Sequence, residues 1–164
     1  MCCVTQDLKE GTGAVPKSGS RVAVDWDGYT IGYAEALPPV STPHAPSSLF
    51  APVCFSSYYG RPFQARNKAK GGAFSSESNE YLRFKVGDGT VIGAFDEAVR
   101  GMRVGGVRRV VIGPGPLFYP TKGARKLLPQ PSTFSGERAL YFVLENQGLI
   151  DKTLLFDLEL KYVE

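Results

Sequence analysis

The chain has 164 residues, 43% of them hydrophobic, and a formal charge of +3, which suits one soluble globular domain with its own core. Lys and Arg are scattered, so composition gives no case for nucleic acid as a partner. No apolar run approaches the roughly 20 residues of a membrane span, and 19 glycines with 12 prolines favour strands and turns over a helical bundle.

The opening MCCVTQDLKEGTG has no charged region followed by an apolar stretch, so it does not read as a signal or transit peptide. Residues 1–14 are expected to be a flexible segment ahead of a single domain at 15–164. Cys2 and Cys3 are adjacent in that segment, and Cys54 lies far from both. Three thiols without CxxC spacing make neither a disulfide framework nor a zinc site. The single histidine, His44, leaves little material for Ser-His-Asp, Cys-His or His-metal chemistry. No metal or cofactor is expected.

The first strand reads RVAVDWDGYTIG. Val22, Val24 and Trp26 alternate with Arg21, Ala23, Asp25 and Asp27, so one face is buried. Asp27-Gly28 reads as a turn or a bulge. The next stretch, residues 34–58, is unlike its neighbours: proline, serine and alanine, with Cys54 and His44 inside it. EYLRFKVGDG is a second strand with Tyr81, Leu82, Phe84 and Val86, ended by Gly87-Asp88-Gly89. In GAFDEAVRGM, Phe95, Ala98, Val99 and Met102 recur at helical spacing, with Asp96 and Glu97 in the first turn and Gly101 as the stop.

GVRRVVIGP follows as a strand through Val107, Val110, Val111 and Ile112, ended by Pro114 and Pro116. Arg108 and Arg109 are adjacent on it and point to opposite faces, so they form no single basic patch. PGPLFYPTKGARKLLPQPSTFSG is expected to be a long proline-rich loop. RALYFVLENQGLID reads as a buried segment closed by a turn at Asn146-Gln147-Gly148. In KTLLFDLELKYVE, Leu154, Phe156, Leu158 and Leu160 alternate with Leu155, Asp157, Glu159 and Lys161 as the last strand. Several strands, one short helix and no βαβ rhythm imply an antiparallel α+β fold.

The order in VGDGTVIGAFDEAVRGMRVGGVRRVVI, with the closing LLFDLEL, resembles the FKBP-type peptidyl-prolyl isomerases. The resemblance runs from about Val15 to Val163. It implies a twisted antiparallel sheet wrapped around one short helix, with a hydrophobic pocket between them. FQARN, KGGAF, PSTFSGERAL and NQGLIDKTLLFD are similar to the plant and algal members of the thylakoid lumen. That implies a chloroplast protein whose targeting peptide is absent from this chain. Against those relatives, residues 34–58 read as an insertion in a hairpin, either a retained intron translated in frame or a genuine surface loop. Disorder and no chemistry are expected of it.

The resemblance also implies the site. Trp26, Phe63 and Phe156 match pocket aromatics, Phe95 the floor aromatic, and Val91 and Ile92 the Val-Ile pair whose Ile N–H holds a ligand carbonyl. Tyr119 matches the loop tyrosine whose hydroxyl binds substrate, with Phe118 as competitor. Leu82 falls at the pocket edge, and Leu127 or Leu128 completes the wall. Gln64 stands where active relatives have Asp. Periodicity alone would make Phe95, Val91, Phe84 and Phe156 ordinary core. Gln64, Phe95 in place of Trp, and Leu82 in place of an aromatic imply reduced or lost catalysis and weak macrolide binding. The implied partners are proline-containing polypeptides. The alternative is a weak or inactive binding module that assembles photosynthetic complexes.

Overall fold

A computed structural model describes residues 3–32, 61–64, 81–121, 124–146 and 150–164. In chain order the elements are β1 (Val4–Lys9), β2 (Arg21–Gly32), β3 (Arg61–Gln64), β4 (Leu82–Lys85), α1 (Gly93–Val99), β5 (Val107–Ile112), a 3-10 turn (Ala124–Lys126), α2 (Phe134–Glu145) and β6 (Asp151–Val163). The strands form one antiparallel sheet in the order β1-β5-β6-β2-β3, with β4 also paired to β2. No helix among the described residues is long and apolar enough to cross a membrane.

The two long strands, β2 and β6, pair along almost their whole length, from Val22 opposite Val163 to Gly32 opposite Asp151. The free edge of β2 is divided: β4 covers Arg21 to Val24, and β3 covers Gly28 to Thr30. The alternation read from sequence is the alternation of the sheet. Val22, Val24 and Trp26 join Leu154, Phe156, Leu158 and Leu160 in one core, which α1 closes with Ala94, Phe95, Ala98 and Val99. Gly28 lies in a strand rather than a turn, and the register against β3 shifts between Gly28 and Tyr29. Thr30 faces Arg61, so β2 and β3 form a hairpin. The 34–58 stretch belongs to its connection and lies outside the described residues, as do ARN of the first resemblance motif, KGGAF, and Gln147-Gly148.

Two arginines adjacent on β5 bind the fold from opposite faces. Arg108 grips Asp7 of β1 through Nε at 2.6 Å and Nη2 at 2.9 Å, and this holds the Asp7 carboxyl below its usual range. Its Nη1 donates to the carbonyls of Ala98 and Arg100 at 2.7 and 3.2 Å, at the C-terminal end of α1. A cation there satisfies orphan carbonyls and suits the helix dipole. Residues 4–9, expected to be a flexible lead, are therefore an edge strand tied to the helix. Arg109 makes a two-pronged pair with Asp157 across β5 and β6, at 2.8 and 2.9 Å, with both side chains buried.

The sheet wraps α1 as expected, but a second helix is present where a loop and a buried segment were expected. Thr133 caps α2 by accepting from Gly136 N–H at 3.1 Å. Its inner face is Gly136, Leu140, Tyr141 and Val143, packed on β3 and β6. The apolar run ALYFVL hides the period, because it has no polar gaps. Gly136 carries the contact: a Cβ there would lie 2.1 Å from the Phe63 carbonyl oxygen. The N-terminal turn of α2 reaches the β3 backbone because that position has no side chain.

Replacing Arg109 with Ala would leave Asp157 buried without its partner and opposite Asp27 in the sheet register. The expected loss is about 3 kcal/mol of folding free energy, measured as a lower midpoint in urea; a change under about 0.5 kcal/mol would contradict this role.

Candidate active site

Three strands and one helix deliver one aromatic cluster. β2 supplies Trp26, β3 Phe63, β6 Phe156, and α1 Phe95. Trp26 stands 6.3 Å from Phe63, 6.0 Å from Phe95 and 6.0 Å from Phe156, centroid to centroid. Phe156 meets Phe63 at 5.9 Å and Phe95 at 5.0 Å, both edge to face. Edge-to-face contact places the positive ring edge on the negative face of the neighbour. Gly28 makes room for the cluster: a Cβ there would lie 2.5 Å from the Phe63 ring and 3.0 Å from that of Trp26. All four rings are buried.

The polar groups assigned by sequence lie around one short piece of chain. The Ile92 N–H donates to the Leu128 carbonyl at 2.8 Å, and the Leu128 N–H donates to the Thr90 carbonyl at 2.9 Å. Val91 and Leu128 form a parallel bridge between these bonds. The Tyr119 hydroxyl donates to the Pro129 carbonyl at 2.6 Å. Gln64 Oε1 accepts from Ser132 N–H at 2.9 Å and from Ser132 Oγ at 3.2 Å. A backbone N–H can only donate, so the oxygen of the Gln64 amide must face it. Its Nε2 then has no partner among the described residues, and the residue is only 1% exposed.

Of the two loop candidates, Tyr119 is the one with polar work. Phe118 is buried beside it, edge-on at 5.9 Å. Burial, with a smaller contribution from Tyr141, pushes the Tyr119 hydroxyl well above its ordinary pKa of 10.0, so it stays a donor into the alkaline range. Leu127 and Leu128 both pack against the core, and Leu128 is the one bonded to Thr90 and Ile92. Leu82 sits opposite Val24 on β4, half-buried against the core, and is absent from the ring contacts. A groove of about 320 Å³ bounded by Arg21, Arg83, Lys85 and Tyr162 runs along the start of β2, and none of these groups lines it.

Sequence reading missed the supports of this arrangement. Gln130 Nε2 donates to the carbonyls of Ala124 and Leu127, and its Oε1 accepts from the Tyr141 hydroxyl at 2.6 Å. A polar residue between Pro129 and Pro131, beside two leucines, was the only available signal. Among the described residues no three His, Cys, Asp or Glu side chains group to hold a metal.

Comparison with known proteins identifies the family. The family model for FKBP-type peptidyl-prolyl cis-trans isomerase matches residues 62–161. The chain is 50% identical over 155 residues to "Peptidyl-prolyl cis-trans isomerase FKBP19, chloroplastic" of Arabidopsis thaliana, covering 94% of this chain and 50% of that protein. It is 30% identical over 119 residues to an FK506-binding protein of Streptomyces anulatus, covering 73% of this chain and 67% of that one. The crystal structure of FkpA from Escherichia coli superposes with a TM-score of 0.48 at 20% identity, over 99% of this chain and 48% of that chain. The chain thus spans about half the length of the Arabidopsis relative. A family match over more than half of its residues, on a sheet that wraps α1 around these aromatics, makes the chain a member of the FKBP-type peptidyl-prolyl cis-trans isomerase family.

Proposed function

We propose that this chain accelerates rotation about Xaa-Pro bonds in polypeptides, at the cluster of Trp26, Phe63, Phe95 and Phe156. One observation carries the reading. The Ile92 N–H and the Tyr119 hydroxyl meet consecutive carbonyls of a Leu-Pro unit, at 2.8 and 2.6 Å. Two donors with that spacing suit the two carbonyls of an Xaa-Pro substrate.

The chemistry needs no nucleophile and no cofactor. Rotation is slow because it breaks amide resonance, a barrier of about 18–20 kcal/mol. At the twisted transition state the C–N bond is nearly single and its carbonyl is less polar. A dry aromatic surface disfavours the planar amide more than the twisted one, and fixed donors hold the flanking carbonyls while the bond turns. A thousandfold gain requires only about 4 kcal/mol. In this reading Val91 and Leu82 bound the apolar wall, and Gln64 supplies a neutral amide where active relatives have a carboxylate. The single domain is taken to span 15–164, joined by the edge strand β1.

The named compartment of the Arabidopsis relative extends this reading to the chloroplast, and the lumenal motifs extend it to the thylakoid lumen. Fractionation of intact chloroplasts, probed with an antibody to this chain, should recover it in the soluble lumenal fraction; recovery in the stroma alone would rule out the lumen.

Tyr119→Phe removes one substrate donor and leaves the ring. The expected result is about tenfold lower kcat/KM on a Leu-Pro peptide; unchanged kcat/KM would remove Tyr119 from the site. The same variant has a pH signature. The folded hydroxyl ionises later than the unfolded one, so the unfolded chain holds fewer protons above pH 10 and stability falls there. That alkaline decline should be shallower in Tyr119→Phe, read from urea midpoints between about pH 9 and 11.

A further inference from the structure

We propose that residues 128–132 occupy the substrate site as an internal ligand, and that a proline-containing peptide enters by displacing them. The inference rests on the isomerase reading of Ile92 and Tyr119. Each of these groups has one hydrogen to donate, and each has already given it, to Leu128 and to Pro129. A substrate carbonyl takes either donor only when the chain's own carbonyl lets go. Gln64 is engaged by the same piece of chain, through Ser132. Three groups assigned to substrate are thus held by five consecutive residues.

An occupant tethered to its site competes at a high effective concentration, so a modest set of contacts excludes a dilute peptide. What holds the occupant is separate from what it occupies. Gln130 ties it to the 3-10 turn through Ala124 and Leu127, and to α2 through Tyr141. None of those bonds involves Ile92, Tyr119 or Gln64. Weakening them leaves the donors intact and makes the site easier to enter.

The test uses the whole chain, the variants Gln130→Ala and Tyr141→Phe, and the tetrapeptide Ala-Leu-Pro-Phe as probe. Peptide affinity, isomerisation rate and backbone amide exchange are measured together. Each variant should bind the peptide about fivefold more tightly than the wild type, the worth of roughly one hydrogen bond. If Gln130→Ala does not fold, Tyr141→Phe and the wild-type exchange data decide. In the wild type, saturating peptide should speed exchange at the Leu128 N–H, which loses Thr90, while the Ile92 N–H stays protected by its new partner. Equal or weaker binding by the variants overturns the proposal, because residues 128–132 are then a fixed wall. So does binding that leaves the Leu128 N–H protected, or no binding by any form. Tighter binding without any acceleration would sink the isomerase reading and leave this one standing. Acceleration with unchanged affinity would do the reverse.

Discussion

The pairing of β2 with β6 is the constraint on which the site depends. It puts Trp26 opposite Leu158 and Gly28 opposite Phe156, so the rings of Trp26 and Phe156 come to the same face. A slip of one residue would turn both to the other face and bring Asp25, Asp27 and Asp157 into the core. The remaining elements take their positions from this pair. β3 brings Phe63 to the free edge of β2, and α1 lays Phe95 across the face. The divided edge matters too, because β4 and β3 together cover a strand longer than either.

The parts of the fold that obey a period were legible. Alternation marked β2 and β6, and helical spacing marked α1 together with its stop at Gly101. β1 had no such mark: VTQDLK is exposed at all six positions and buries no apolar stripe. It joins the sheet through backbone bonds and the grip of Arg108 on Asp7, and neither leaves a trace in hydrophobicity. α2 was obscured for the opposite reason, since its apolar run is too dense to show a period. At the site the aromatic residues came from family resemblance, and the fold groups four of them. The contacts of Leu128, Pro129 and Ser132 could not have been read, because they run largely through main-chain atoms, which carry no residue identity.

The polar design is sparing. Gln64 is an amide and Tyr119 is a phenol, so these two groups bring no charge to the aromatic cluster at neutral pH. A reaction that creates no ion needs none. Gln64 Nε2 finds no partner among the described residues, and a buried donor without a partner costs about 1–3 kcal/mol. The fold tolerates that cost at the place where α2, β3 and residues 128–132 meet.

The chain has a single tryptophan, and it is Trp26, in the middle of the aromatic cluster. Every photon of indole fluorescence therefore originates in that cluster. Its emission wavelength reads the dryness around Trp26, and its intensity reads the rings packed against it. The protein carries an intrinsic optical label inside its aromatic cluster, and no other indole dilutes the signal.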